Sequence, residues 1–334
     1  MNKIFDLDYY DYEINENLIA QEPLKERDLS KLMVIHKSNF KIEHKIFRDL
    51  ISYLKKGDCI VLNNSRVIKA RLIGYLNDKE VEIFFTRAIN NNEFEGIGKP
   101  LKKFKKGSVI EVGEYKILVK EVLKFKRIYS CENYIQIFEK YGQIPLPHYI
   151  RRKPTKEDEI FYQTVYAQKE GSVAAPTAGL HFTEKLLEDI KNLGVNVCYI
   201  TLHVGIGTFK PILERDIRKH QMDYEYYEIP DETAEIIKSS KRIIAVGTTT
   251  TRTLEFWNFD ENPRKGWTNL FIYPSYKFNV INALITNFHP PRSTPLLLVS
   301  AFIGDFEKVK YAYMLAQKMK YRFYSYGDAM LIID

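Results

Sequence analysis

Cys59-Ile60-Val61-Leu62 is the stretch of sequence that decides the fold. Four consecutive apolar residues between Gly57 and Asn63 are typical of a strand that is buried on both faces, as in the parallel sheet of an α/β protein. The chain changes character directly after this strand, and comparable strands return only beyond residue 147. We therefore expect this strand to join the sheet formed by the later ones, with the residues between them as an insertion.

Residues 65–147 have the texture of a small all-β unit. Short runs that alternate apolar and polar residues are separated by Asn and Gly clusters, which favours several strands closed into a barrel of about 80 residues. Gln143-Ile144-Pro145-Leu146-Pro147 ends the unit as a stiff, extended connector. The predicted strands are 67–73, 81–85, 109–112, 115–122 and 134–138.

Helices and strands alternate in the rest of the chain, which is the order of a layered α/β domain. Thr183 is placed to cap one helix, and Gly194 stands where a C′ glycine ends it. The predicted helices are 48–54, 183–193, 231–240, 249–257, 293–302 and 306–320, and the predicted strands 195–204, 242–246, 280–285 and 329–333. The fold class predicted is α/β, with a discontinuous catalytic domain (1–64 and 148–334) and an inserted β-barrel domain (65–147).

The composition excludes several classes of protein. Apolar residues make up 45% and charged residues 28% of 334, which is ordinary globular composition and excludes a wholly disordered chain. The beginning of the sequence lacks the features of a secretory signal, and no apolar run reaches the roughly 18 to 20 residues of a membrane span. Three widely spaced cysteines match neither a zinc site nor a disulfide framework, so we expect reduced thiols in a cytoplasmic protein.

The net charge of +7 is unevenly distributed. Residues 65–147 hold 16 Lys+Arg and 10 Asp+Glu, which gives +6 for the insertion and leaves +1 for the remainder. A basic run in the insertion supplies Lys102, Lys103, Lys105 and Lys106, with Phe104 among them for base stacking. We predict salt-sensitive contacts with nucleic-acid phosphates here; a solvated loop is the alternative.

Polar side chains follow three of the predicted strands, where α/β proteins place their functional loops. His203 lies at the end of the first strand. The threonine run 248–251 and Arg252 follow the second strand, and Asn287 and His289 follow the third. A fourth segment, the small-residue loop 171–182, ends in His181 beside a helix start. None of the histidines has metal-ligand spacing, and neither a Gly-rich dinucleotide loop nor a Walker loop is present, so no metal site is expected.

These segments together resemble the S-adenosylmethionine:tRNA ribosyltransferase-isomerase family over essentially the whole chain. The resemblance includes Asn63-Asn64-Ser65-Arg66, Gly171 to Phe182, Gly247 to Glu255 and Ser325-Tyr326-Gly327-Asp328-Ala329. It also includes Arg27-Asp28 near the start of the chain. Asp223 departs from the family pattern, which commonly has a second histidine at this position.

The resemblance implies an enzyme of queuosine biosynthesis that uses S-adenosyl-L-methionine as a ribosyl donor. The ribosyl unit would be transferred to 7-aminomethyl-7-deazaguanine at the wobble position of a tRNA and isomerised, with release of adenine and methionine. It also implies a monomer with no membrane partner. An S-adenosylmethionine-dependent RNA methyltransferase and a non-enzymatic tRNA-binding protein are the alternatives.

Such a reaction needs a base for a proton next to the sulfonium or on the amine, and an acid for the departing adenine. Histidine suits both tasks because its ordinary pKa lies near the operating pH, so His181, His203 and His289 are the expected catalytic residues. Tyr166, Asp223 or Glu225 would hold the sulfonium, and Thr248, Thr249 and Arg252 the ribose hydroxyls and methionine carboxylate. The remaining expected contacts are Ser172, Thr201, Gly205 and Asn287 with the cofactor, and Arg27 with the tRNA.

Overall fold

The strand around Val61 lies inside a large mixed sheet, in the part where neighbouring strands run parallel. In the computed structural model, which describes residues 2–205, 207 and 211–334, the seventeen strands recorded within those residues are numbered β1 to β17 in chain order. They are Lys31–His36, Ile42–Ile46, Asp58–Asn63, Ser65–Val67, Arg71–Leu76, Lys79–Asn90, Glu93–Lys99, Val109–Val112, Tyr115–Val122, Arg127–Ser130, Lys169–Ser172, Asn196–Leu202, Glu225–Glu228, Arg242–Val246, Lys265–Thr268, Ala283–Asn287 and Ala329–Ile333. Helices α1 to α7 are Tyr134–Tyr141, Lys156–Phe161, Glu184–Asn192, Asp231–Ser239, Thr248–Trp257, Thr294–Ile303 and Phe306–Lys318.

Strand β3 pairs in parallel with β12 on one side and with β14 on the other. Val61 lies opposite Cys198 and Cys59 lies opposite Ile243. The strand order over the described residues is β15-β13-β12-β3-β14-β16-β17-β1-β2. The prediction that the strand before the insertion joins the later strands is therefore confirmed.

Apolar layers cover both faces of the sheet. Val61 packs into a core with side chains of α4, α5, α6 and α7, whereas Ile60 and Leu62 face a second core that includes α3. Burial of alternate side chains on opposite faces follows from the period of two in a strand, and it explains the continuous apolar sequence of β3. The layered α/β architecture is as predicted.

The insertion contains a closed antiparallel barrel in the order β10-β7-β6-β5-β8-β9. Phe94, Phe104 and Tyr129 fill its interior with aliphatic side chains around them. The chain enters and leaves the barrel side by side, because the amide of Arg71 donates to the carbonyl of Gln143 and the amide of Gln143 donates back. The predicted small β-barrel is confirmed.

Some predicted elements differ in the structure. Residues 134–138 form helix α1 and not a strand, because the Asn133 carboxamide accepts from the amides of Ile135 and Gln136 and starts a helical turn. Residues 47–53 form a 3-10 helix. The strand predicted at 280–285 begins three residues later and spans Ala283–Asn287. No helix within the described residues is long and apolar enough to span a membrane.

Candidate active site

Strands β14 and β16 are parallel neighbours, and both end at the rim of one cavity of about 940 Å³. We call it the strand-end cavity. Its polar lining includes Thr248, Thr249, Thr286, Asn287 and His289, and the small-residue loop supplies its wall between Ala174 and Ala178. A cavity of this volume at the carboxyl ends of parallel strands is the usual position of a ligand site in an α/β fold.

The start of helix α5 presents hydrogen-bond donors to this cavity. Gly247 precedes the helix at φ +89°, a left-handed conformation that glycine adopts without strain. The hydroxyls of Thr250 and Thr251 donate to the carbonyls of Val246 and Gly247, at 2.8 and 3.1 Å. Of the threonine run, Thr248 and Thr249 line the cavity, and their amides lie in the first turn, where a helix has no internal partner for them.

His289 lies in the same cavity but is held as a neutral imidazole. Its Nε2 is 2.7 Å from the hydroxyl of Thr286, and its amide donates to the Tyr313 hydroxyl at 3.1 Å. Burial lowers the pKa of His289 to about 3 because the charged form would lose its hydration.

His181 lies behind the cavity wall in a hydrogen-bonded chain. Its Nδ1 is 2.7 Å from the Ser30 hydroxyl, and its Nε2 is 3.2 Å from the carboxamide nitrogen of Asn287. Burial, followed by the nearby Arg322 and Arg27 charges, lowers the pKa of His181 to about 3. A neutral ring that accepts from Asn287 at Nε2 donates to Ser30 at Nδ1. Asn287 in turn accepts from the Thr177 hydroxyl at 3.1 Å, so the chain fixes the amide that lines the cavity.

His203 lies elsewhere, in a cleft of about 740 Å³ between the barrel and the sheet domain. We call it the barrel cleft. Its Nδ1 is 2.7 Å from the Ser65 hydroxyl, which is 2.6 Å from the Ser172 hydroxyl. The pKa of His203 is lowered, first by burial and then by Lys169, while Glu228 opposes the shift. The three predicted histidines thus occupy different surroundings, and of the residues that the structure describes only Val204, next to His203, lines both the cavity and the cleft.

Arg252 lines neither the strand-end cavity nor the barrel cleft, and its Nη2 is buried with no hydrogen-bond partner among the described residues. Its Nη1 lies 2.5 Å from Glu225, with the two side chains 8% and 2% exposed, and its Nε donates to the Leu270 carbonyl at 2.7 Å. The second oxygen of Glu225 accepts from the amide of Gly205 at 2.8 Å. Gly205 and Glu225 line the barrel cleft, so the pair stiffens one wall of it. The observed partners of Arg252 are thus Glu225 and the Leu270 carbonyl, and its anion-binding role stays a prediction.

Three other predicted cofactor contacts are buried outside the strand-end cavity. The hydroxyl of Thr201 donates to the Asn64 carboxamide at 2.7 Å, and Ser172 accepts from the amide of Val204 at 2.9 Å. Tyr166 packs below the small-residue loop, with its hydroxyl against Gly179. These side chains support the backbone around the site, because their polar atoms are used or enclosed by the protein.

Of the residues predicted to bind nucleic acid, some are exposed and others are held inside the protein. Lys102, Lys103, Lys105 and Lys106 are exposed, but Phe104 is 1% exposed in the barrel core, so the stacking role expected of it is wrong. Arg27 donates to the carbonyls of Gln163 and Ile160 at 2.6 and 2.9 Å, which makes it an internal brace and not a free phosphate ligand.

The sequence reasoning missed Ser30 as the partner of His181 and gave no role to Ser65. Ser30 is 151 residues from His181 along the chain, and no local spacing pattern relates them. Ser65 belongs to the motif Asn63-Asn64-Ser65-Arg66, which was the available signal in the sequence. In the structure the Asn63 carboxamide accepts from the amide of Ser65 at 3.1 Å. Within the described part of the chain, His, Cys, Asp and Glu form no group of three that could hold a metal ion.

Comparison with known proteins identifies the family of the chain. The family model described as "Queuosine biosynthesis protein" matches residues 7–332, and the chain belongs to this family. It is 49% identical to the S-adenosylmethionine:tRNA ribosyltransferase-isomerase of Sulfurihydrogenibium sp. (strain YO3AOP1), over 97% of this chain and 98% of that protein. It is 48% identical to the enzyme of the same name from Thermoanaerobacter sp. (strain X514), over 96% and 98%.

A solved structure also resembles this one. The crystal structure of S-adenosylmethionine tRNA ribosyltransferase from Thermotoga maritima aligns with a TM-score of 0.56 at 36% identity, covering 97% of this chain and 99% of that one. The likeness extends over both the sheet domain and the barrel.

Proposed function

We propose that this protein transfers and isomerises the ribosyl unit of S-adenosylmethionine onto tRNA in queuosine biosynthesis. The acceptor is the aminomethyl group of 7-aminomethyl-7-deazaguanine at the wobble position, the product is epoxyqueuosine-tRNA, and adenine and methionine are released. The observation that carries the proposal is the full-length relationship to enzymes of that name, 49% identical over 97% of the chain.

The strand-end cavity is the proposed site for S-adenosylmethionine. Its volume of about 940 Å³ lies within the range of sites for compact cofactors. The first turn of α5, with Thr248 and Thr249, offers amides and hydroxyls to the carboxylate of the methionine part or to ribose oxygens. Asn287, fixed by His181 and Thr177, offers a second oriented polar group.

The histidines then take different roles. His181 and His289 each have a pKa near 3, so both are neutral at pH 7 and act as fixed hydrogen-bonding groups. His203 lines the barrel cleft with its Nδ1 held by Ser65, so it is the one of the three that faces a base entering that cleft. We assign it to the amine of the tRNA base, which would approach from the barrel cleft.

The exposed lysines of the barrel are the proposed binding surface for the tRNA. Lys102, Lys103, Lys105 and Lys106 project from the barrel without carboxylate partners among the residues described, which suits contact with phosphates. We further propose a cytoplasmic monomer in which residues 65–147 form the tRNA-binding domain and residues 1–64 with 148–334 form the catalytic domain.

The test is incubation of the purified protein with S-adenosylmethionine and tRNA that carries the deazaguanine precursor, followed by mass analysis of the wobble nucleoside. Conversion with release of free adenine and methionine is the expected result. S-adenosylhomocysteine and a methylated nucleoside would establish a methyltransferase instead, and binding of tRNA with an unchanged nucleoside mass would leave a binding protein. Either of these results overturns the proposal.

A further inference from the structure

A row of aromatic rings leads from the interior of the barrel cleft to its rim. The His203 ring stacks on Tyr226 at 5.8 Å and 20°, and Tyr226 meets Trp267 edge-on at 5.8 Å. Tyr226 and Trp267 are cross-strand partners on β13 and β15, so the sheet holds both rings in fixed positions. Gly171, at φ +146°, lies flat against the imidazole, and a Cβ there would be 2.8 Å from the ring.

The outer members of the row are exposed to an unusual degree. Trp267 is 55% exposed and the nearby Tyr224, which also lines the cleft, is 66% exposed. A folded chain usually covers such large rings, and exposed Trp and Tyr at the mouth of a cleft are typical of recognition surfaces. The other tryptophan of the chain, Trp257, is fully buried and donates to Asp260 at 2.7 Å.

The charge of the cleft limits what it could hold. The cations of its lining are Arg66, Lys69 and Arg87, and they are paired with Glu170, Glu159 and Glu95 at 3.8, 3.1 and 3.7 Å. The exposed lysines at 102–106 have no such partners among the residues described. The cleft therefore suits a flat ring that is neutral or carries one amine, whereas a run of phosphates suits the lysines.

From these features we infer that the barrel cleft binds the wobble base of a tRNA, turned out of the anticodon loop and stacked on Trp267. The inference rests on the proposed function and deepens it by giving the RNA base a site of its own, which adjoins the strand-end cavity at Val204 so that the amine can reach the ribosyl donor. Unstacked loop bases are commonly stacked on aromatic side chains, and His203 lies in the same cleft for the aminomethyl group of the base.

Tryptophan fluorescence tests this directly, because Trp257 is buried and Trp267 is the exposed reporter. An anticodon stem-loop RNA with 7-aminomethyl-7-deazaguanine at the wobble position should quench the emission of the wild-type protein. The same RNA with an abasic wobble site should bind through its phosphates and leave the emission unchanged. The Trp267→Phe variant should show no quenching, since its remaining tryptophan is enclosed.

Binding measurements provide the second arm. Trp267→Ala should weaken binding of the modified stem-loop roughly 5- to 150-fold, the range for loss of one stacked base, and leave S-adenosylmethionine binding unchanged. Tyr311→Ala, which removes a ring that is 51% exposed on α7, is the matched control and should change neither. Unchanged melting temperatures and the milder Trp267→Phe variant separate loss of stacking from loss of the fold.

The inference is overturned if Trp267→Ala binds the modified RNA as tightly as wild type, or if S-adenosylmethionine alone quenches Trp267, which would make the cleft the cofactor site. Failure of the proposed function would look different. The wild-type protein would then leave the wobble nucleoside unconverted, whatever the fluorescence of Trp267 reported.

Discussion

The Arg252–Glu225 ion pair permits a sharp distinction between a structural and a substrate-binding arginine. Replacing Arg252 by Met removes the buried Arg252–Glu225 ion pair, while the hydrogen bond from the Gly205 amide to Glu225 remains. We expect this change to lower the free energy of unfolding strongly and to leave the affinity for S-adenosylmethionine almost unaltered. A carboxylate-binding arginine would give the opposite pattern.

The magnitude follows from the bonds that Arg252 makes. The Nη1–Oε2 contact is charge-assisted and contributes about 1.5 to 3 kcal/mol, and the bond from Nε to the Leu270 carbonyl adds about 0.5 to 1.5 kcal/mol. The sum agrees with the roughly 3 to 5 kcal/mol that is lost when one partner of a buried pair is removed. The double variant Arg252→Met with Glu225→Gln should recover part of this loss, because no charge then stays buried.

Urea unfolding followed by far-UV circular dichroism measures the stability, and equilibrium dialysis measures the cofactor affinity. Arg151→Met is the matched control, since Arg151 and Glu16 form an exposed pair expected to contribute less than about 1 kcal/mol. The reasoning is refuted if Arg252→Met is as stable as the control, or if it is stable but binds S-adenosylmethionine tenfold or more weakly.

Three further changes test other parts of the structure. His289 has an ordinary pKa of 6.5 when unfolded and about 3 when folded, so the unfolded state binds more protons between those values, and stability present above pH 6.5 is lost as the pH falls. His289→Gln should reduce the slope of unfolding free energy against pH in that window by up to about 1.4 kcal/mol per pH unit, and equal slopes would contradict the assignment. Replacing four barrel lysines by Gln should weaken tRNA binding and reduce the slope of log affinity against log salt by up to about 4; these are Lys102, Lys103, Lys105 and Lys106. The control variant, Lys310→Gln with Lys318→Gln on α7, should change neither quantity. Gly179→Ala should destabilise the protein by about 1 to 3 kcal/mol because the new Cβ overlaps the Tyr166 hydroxyl, and Tyr166→Phe should rescue it in thermal melts; no rescue would mean that the strain lies elsewhere.

The architecture was predictable where one strong local pattern determined an element. The apolar run of β3 predicted a strand buried on both faces, and Thr183 with Gly194 predicted both ends of α3. The pattern at 134–138 misled because Tyr134, Phe138 and Tyr141 also fit the spacing of a helix, and the Asn133 cap decides between the two. Short apolar segments satisfy both periods, so the capping side chain carries more information than the alternation.

The site was predictable as a set of segments but not as a set of contacts. The strand ends with Thr248, Asn287 and His289 do meet in one cavity, which the topology of a parallel sheet requires. The contacts themselves join residues that are distant along the chain. Examples are the hydrogen bond between His203 and Ser65 and the ion pair between Arg252 and Glu225. Phe104 was misjudged because its lysine neighbours suggested exposure, although a barrel interior needs large side chains from the loops that close it.

The insertion of the barrel between β3 and its neighbours has a consequence for synthesis on the ribosome. Strand β3 pairs with β12 and β14, and about 130 residues separate its end from the start of β12, which at about 5 to 20 residues per second takes on the order of 7 to 26 s. The barrel, whose strands are all encoded within that interval, can close in the meantime. During this interval the apolar strand β3 is exposed and unpaired beside a folded barrel. We therefore expect chaperone binding to be strongest for nascent chains that are paused before residue 196.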